Sequence, residues 1–134
     1  MTRADWVFRS VLACLVTAAV AGCSLLRGDP VRDQWKGRAT LPDCGSVVLT
    51  QGETLRRHAP AELACLRAAL DSKSGAELTV QFPTAEGDPI TEYYRVTRTG
   101  STEIYVDATE DEFGDQEWSF AQCDQPSTVL DVNC

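Results

Sequence analysis

Histidine is all but missing from this 134-residue chain: His58 stands alone, directly after Arg56-Arg57. Nucleophilic hydrolysis by serine or cysteine needs a base beside the nucleophile, and a single histidine with no evident partner supplies none. Long apolar runs are missing too. A membrane-spanning helix takes about 20 apolar residues, whereas the longest run, Val11 to Val20, is well short of that and Arg27 closes off its extension. Basic residues thin out beyond Ala76, where Arg95 and Arg98 alone stand against thirteen acids. A polyanion is repelled by such a surface, so no nucleic acid is expected as a partner. Cysteines two to four residues apart, the usual mark of a structural zinc site, do not occur, and neither do internal repeats. Glycoside hydrolysis would need two carboxyls set across a sugar-sized cleft, for which a domain this small has little room. These absences predict a protein without enzymatic activity and without a cofactor.

What the chain does carry begins at its start. Arg3 and Arg9 make the first residues basic and small residues follow the apolar run, which is the layout of a cleaved export signal. The residues Val20-Ala21-Gly22-Cys23 resemble the lipobox of bacterial prolipoproteins. That resemblance implies that the thiol of Cys23 receives diacylglycerol, that residues 1–22 are removed, and that Cys23 becomes the acylated N-terminus. One acyl chain anchors only marginally and two hold, because each buried methylene contributes about 0.8 kcal/mol. The expected location is the cell membrane, lipid-anchored and facing away from the cytoplasm. An ordinary cleaved signal that leaves Cys23 as a thiol is the alternative.

The remaining residues suffice for one domain and no second core. Cys14 would leave with the signal and Cys23 would carry lipid, which leaves Cys44, Cys65, Cys123 and Cys134. An even number outside the cytoplasm predicts two disulfides, and spacings of 21, 58 and 11 residues argue against a four-thiolate metal site. Four cysteines allow three connectivities.

Charge is uneven along the chain. Between Cys23 and Ala76 eight basic residues face six acids, and from Glu77 to Cys134 two face thirteen. Ser24 to Thr40 contains Gly28, Pro30 and Gly37 among charges and shows neither helical nor strand period. Residues 23–40 are therefore expected to form a lipidated N-terminus and flexible tether, ahead of a single α+β domain over 41–134.

Within that domain, Ser46-Val47-Val48-Leu49-Thr50 is a β-branched run ended by Gly52 and reads as a first strand. Pro60 suits a first helical turn and Leu63, Leu66 and Leu70 repeat at helical spacing, so a helix is predicted over 60–71. Period two then takes over, with Leu78, Val80 and Phe82 alternating with Glu77, Thr79 and Gln81. Ile90 to Thr97 and Thr102 to Ala108 follow as strands, with Ile90, Tyr94 and Val96 on one face. Setting Val96 opposite Ile104 and Tyr94 opposite Val106 requires a loop of odd length, and Thr99-Gly100-Ser101 fits. Glu117 to Cys123 adds a strand with Trp118 and Phe120 on its apolar side, and Thr128 to Val132 a last short one. The sum is an α+β fold in which one main helix packs on an antiparallel β-meander, stapled by two disulfides.

Glu86-Gly87-Asp88-Pro89-Ile90, then Ile104-Tyr105-Val106-Asp107-Ala108-Thr109-Glu110-Asp111 and Phe113-Gly114, resemble a family of small secreted or lipid-anchored bacterial domains of unknown function. The similarity spans about residues 76–134, includes Cys123 and Cys134, and is loose ahead of the helix. It implies a helix followed by a strand meander and an exterior location, with no activity to carry over. It also implies a pairing, Cys123 with Cys134 and Cys44 with Cys65. A tight turn at Gln125-Pro126 would leave Cys123 six residues from Cys134 along the ladder and out of disulfide reach. That pairing therefore requires a looped C-terminus.

Asp107, Glu110, Asp111, Glu112, Asp115 and Glu117 set six carboxylates within eleven residues. Such a cluster could offer oxygen ligands to calcium. Its order departs from an EF-hand loop, which wants Gly at the sixth position from Asp107, where Glu112 stands, and Glu at the twelfth, where Trp118 stands. No metal site is predicted on that ground, and a solvated acidic loop is the simpler reading. The functional expectation is a binding module whose acidic face, flanked by Tyr93, Tyr105 and Trp118, steers a basic protein or peptide toward the anchored domain. Small anionic lipoproteins that inhibit basic lysozymes are similar in size and charge. The competing expectation is a structural or accessory envelope lipoprotein without a dedicated ligand, its aromatics used in cross-strand packing.

Overall fold

The computed structural model describes residues 28–134. In chain order the elements are α1 (Pro30–Gly37), β1 (Asp43–Val48), α2 (Leu55–His58), α3 (Pro60–Ser72), β2 (Ala76–Pro83), β3 (Pro89–Val96), β4 (Thr102–Asp107) and β5 (Trp118–Cys123). The strands lie side by side in the order β1-β2-β3-β4-β5, and disulfides join Cys44 to Cys65 and Cys123 to Cys134. The expected export signal and the expected acylation site Cys23 fall outside the described residues. Among the described residues no helix is long and apolar enough to cross a membrane.

The α+β class stands, but the sheet is mixed. From β2 to β5 each strand is antiparallel to the next, whereas β1 runs parallel to β2, with Val47 beside Val80 and Val48 beside Gln81. Consecutive strands joined by a tight turn run antiparallel. Here α2 and α3 carry the chain back to the end of the sheet where β1 began, and a crossover of that kind makes neighbours parallel. The expected meander is thus confined to the last four strands, and among the described residues the single main helix becomes three helices.

α3 starts at Pro60 as its sequence predicts. It buries Leu66 and Ala69 against the sheet, with Leu63 and Leu70 half-buried at its flanks. Its end is a left-handed Lys73 with φ 53°, and Ser74 N–H reaches back 3.2 Å to the Ala69 carbonyl. Gly75 follows at φ 77°, where an added Cβ would meet Leu41 Cδ2 at 2.9 Å and the Val96 carbonyl oxygen at 3.4 Å. Only glycine lets the helix turn into β2 so tightly.

The alternation read from the sequence orders the sheet. Ala76, Leu78 and Val80 are buried under α3 with Val96, and Leu49, Leu55, Ala59 and Val129 complete this core. The β3–β4 loop sits one position earlier than expected, which shifts the strand pairing by two residues. Thr97 N–H donates to the Ser101 carbonyl and Gly100 N–H to the Thr97 carbonyl, so the loop is Arg98-Thr99-Gly100 and Tyr94 faces Ile104 while Val96 faces Thr102. Gly100 sits at φ 88°, the left-handed third position that a three-residue hairpin loop needs. Parity is kept, so no side chain changes face.

The other face of the sheet is covered as well, which overturns the flexible tether for residues 30–37. Asp29 caps α1, accepting from Val31 N–H at 2.9 Å and Arg32 N–H at 3.1 Å, and Pro30 fills the first turn. Trp35 packs on Tyr93 with centroids 4.1 Å apart and on Tyr105 at 5.2 Å. Tyr93 and Trp118 stack at 5.7 Å and Tyr105 meets Phe120 at 4.7 Å. Trp118 and Phe120 therefore serve the face opposite α3.

An ion network ties α1 down further. Arg95, 7% exposed, donates to Glu77, Glu103 and the Ala39 carbonyl, while Arg38 donates to Glu77 and stacks 3.1 Å over Trp35. Thr128 to Val132 is a loop rather than a strand. The Asp131 carboxylate accepts from Ser127 N–H and Thr128 N–H, both at 2.9 Å, and the Thr102 hydroxyl donates to the Asp131 carbonyl. That turn folds the C-terminus back over β4 and returns Cys134 to Cys123, with Cα atoms 5.0 Å apart.

Candidate functional site

The acidic residues gather at the end of the sheet where β2, β4 and the parallel β1 finish. Asp107 closes β4, and Glu110, Asp111, Glu112, Asp115 and Glu117 lie on the loop 108–117 leading to β5. Glu110, Glu112, Asp115 and Glu117 are exposed, and Asp107 and Asp111 half-buried.

The half-buried pair shape the loop. Asp107 Oδ1 accepts from Thr109 N–H at 3.1 Å and from its hydroxyl at 2.7 Å, and Asp111 Oδ1 accepts from Phe113 N–H at 3.1 Å. Short acidic side chains capping nearby amides are what make Asp a turn former. Glu112 N–H donates to Asp88 Oδ2 at 3.0 Å, which adds the 84–88 turn to the same end of the molecule. Asp29 joins as well, since its Oδ2 accepts from Trp118 N–H at 3.0 Å. That bond, ahead of the two helix amides, holds the Asp29 carboxyl below its usual range. Among the described residues no three His, Cys, Asp or Glu side chains converge to hold a metal ion.

The aromatics expected to flank this acidic face adjoin it, with Trp118 beside Asp107 in the β4–β5 pairing, but they are covered. Tyr105 is 2% exposed and Trp118 8%, both beneath α1 with Tyr93. Among the described residues the exposed large aromatic is Phe113, 76% exposed between Glu112 and Gly114 in the middle of the loop. Sequence pattern hid it because Phe113 belongs to no periodic segment. Asp88 was hidden by the 24 residues that separate it from Glu112.

Two further features concern ionisable groups. Glu92 lies on the α3 side of the sheet between Val80 and Val106, and its Oε2 accepts from the Tyr94 hydroxyl at 2.8 Å. Burial pushes the Glu92 carboxyl above its usual value despite that bond. Burial and then the neighbouring carboxylate push the Tyr94 hydroxyl up in turn. His58 is exposed in α2 with Nδ1 3.4 Å from Glu53 Oε1.

A cleft of about 490 Å³ lies between the outer side of α3 and the C-terminal segment. Pro60, Leu63, Ala64, Ala68, Val129 and Leu130 form its apolar floor, and Arg56, Arg67 and Asp71 its rim. Among the described residues the carboxylate pairs are made by Arg38, Arg95 and His58, which leaves Arg56 and Arg67 without one.

Set against protein-family models, curated proteins and solved structures, the chain matches none.

Proposed function

We propose that this protein is an exported lipoprotein, acylated at Cys23 and held at the membrane facing away from the cytoplasm, and that it is a non-enzymatic module binding a basic protein or peptide through its acidic end. The observation that carries this reading is the clustering of exposed Glu110, Glu112, Asp115 and Glu117 with Asp88 around an exposed Phe113. An acidic rim with an apolar centre draws a cationic partner by long-range attraction and gives it a side chain to close on. The rest of the acidic half of the chain reinforces the same sign of field.

Intact mass of the purified mature protein tests the anchor. The expected species begins at Cys23, carries acyl glyceride and has four thiols oxidised; a chain starting at Met1 with free thiols would refute the proposal. Binding is tested by pull-down at low and high salt with the parent protein and an E110Q/E112Q/D115N variant. A cationic partner held by the parent at low salt, released at high salt and lost in the variant is the expected result. Nothing above background would instead favour an accessory envelope protein without a dedicated ligand.

A further inference from the structure

We propose that the cleft between α3 and the C-terminal segment receives the acidic loop 108–117 of a second copy of this chain, Phe113 seating on the apolar floor while Asp111 and Glu112 meet Arg56 and Arg67. Both halves of the contact are present on one molecule. The loop presents the most exposed large apolar side chain among the described residues, Phe113 at 76%, beside carboxylates. The cleft presents an apolar floor with Arg56, Arg67 and Asp71 around it, and neither guanidinium forms an ion pair with a carboxylate among the described residues. An aromatic anchor on an apolar floor with charge pairs at the rim is the usual build of a protein contact.

The positions of loop and cleft favour reciprocal exchange. Gln51 Nε2 donates to the Ala85 carbonyl at 3.2 Å, tying the chain just before α2 to the 84–88 turn, and Asp88 in that turn holds Glu112. Arg56 and Pro60, both lining the cleft, therefore share one end of the molecule with the loop. Two copies meeting at that end can each lend a loop to the other about a two-fold axis, so every contact is made twice and the assembly closes as a dimer.

Sedimentation of the purified protein over a range of concentrations tests this, with single variants and their mixture. The parent is expected to dimerise, with association weakened by high salt and at least about tenfold by F113A. R67E and E112R should each be monomeric over the range where the parent dimerises, and mixing them should restore a one-to-one dimer through the swapped pair. Restoration excludes misfolding as the cause of the single-variant losses. A parent monomeric at every concentration, or an association indifferent to F113A and R67E, would each overturn the proposal. R67E leaves the acidic loop intact, so loss of the dimer with capture of a basic partner retained separates this contact from the function proposed above.

Discussion

Glu92 shows how one side chain departs from its neighbours' logic. Its strand position alternates correctly onto the face occupied by Val80 and Val106, so register alone places a carboxyl among apolar groups. Burial raises its proton affinity, and the linkage has a definite sign. As pH rises from about 4.3, the unfolded chain gives up this proton while the folded protein still holds it, so folding loses stability until the raised folded value is passed. E92Q removes that dependence while keeping an acceptor for the Tyr94 hydroxyl. Thermal melts should show the variant gaining on the parent as pH climbs from 4 toward neutrality. A difference between the two that stays constant with pH would refute the assignment. Arg95 is the opposite case, a buried charge whose donors are met by Glu77, Glu103 and the Ala39 carbonyl.

Among the elements, α3 and the alternating strands were legible because each repeats an apolar period over enough residues to be seen. α1 was not. It is eight residues long with no fully buried residue, and its attachment to the domain comes from Trp35 on Tyr93, Arg38 on Glu77 and the Asp29 clasp on Trp118 N–H, all contacts across long sequence distances. Its one local signal is Asp29-Pro30, a capping residue followed by a first-turn proline. The disulfides fasten the two edges of the sheet. Cys44–Cys65 ties the edge strand β1 to α3, and Cys123–Cys134 closes the C-terminal loop onto β5. With sequence separations of 21 and 11 residues, chain-entropy reasoning gives each bridge about 3 kcal/mol. Replacing either pair by serine should lower denaturant-measured stability by about that amount, and a loss below about 1 kcal/mol would show that the reduced chain is already held in place.

At the scale of the molecule, docking of α1 shortens the distance between the proposed anchor and the folded part. Six peptide units separate Cys23 from Asp29, about 20 Å when fully extended, and Asp29 is fastened to Trp118 beside the acidic loop. An acylated Cys23 would therefore hold the acidic end close to the headgroups, which orients the domain far more than a long tether would. Energy transfer from Trp35 and Trp118 to a headgroup-attached acceptor should be strong in the parent protein on vesicles. It should fall when ten Gly/Ser residues are inserted after Ser24, and equal transfer in both would refute the short reach.

The sequence by itself determined the α+β class, the span of α3, the alternation of β2 to β5, the presence of two disulfides and the acidic character of the loop before β5. Each is written in local periodicity, in cysteine number or in composition, and survives without knowing what packs on what. Spacing alone leaves the cysteine pairing among three possibilities, and the fold selects Cys44 with Cys65 and Cys123 with Cys134 by bringing their Cα atoms to 5.7 and 5.0 Å. Only the tertiary structure decided that β1 lies parallel to β2, that α1 covers the aromatic face of the sheet, that the C-terminus loops back, and that Asp88 and Phe113 belong to the acidic end. All four depend on contacts between residues far apart in the chain, where burial and hydrogen bonding across the fold outweigh any local preference.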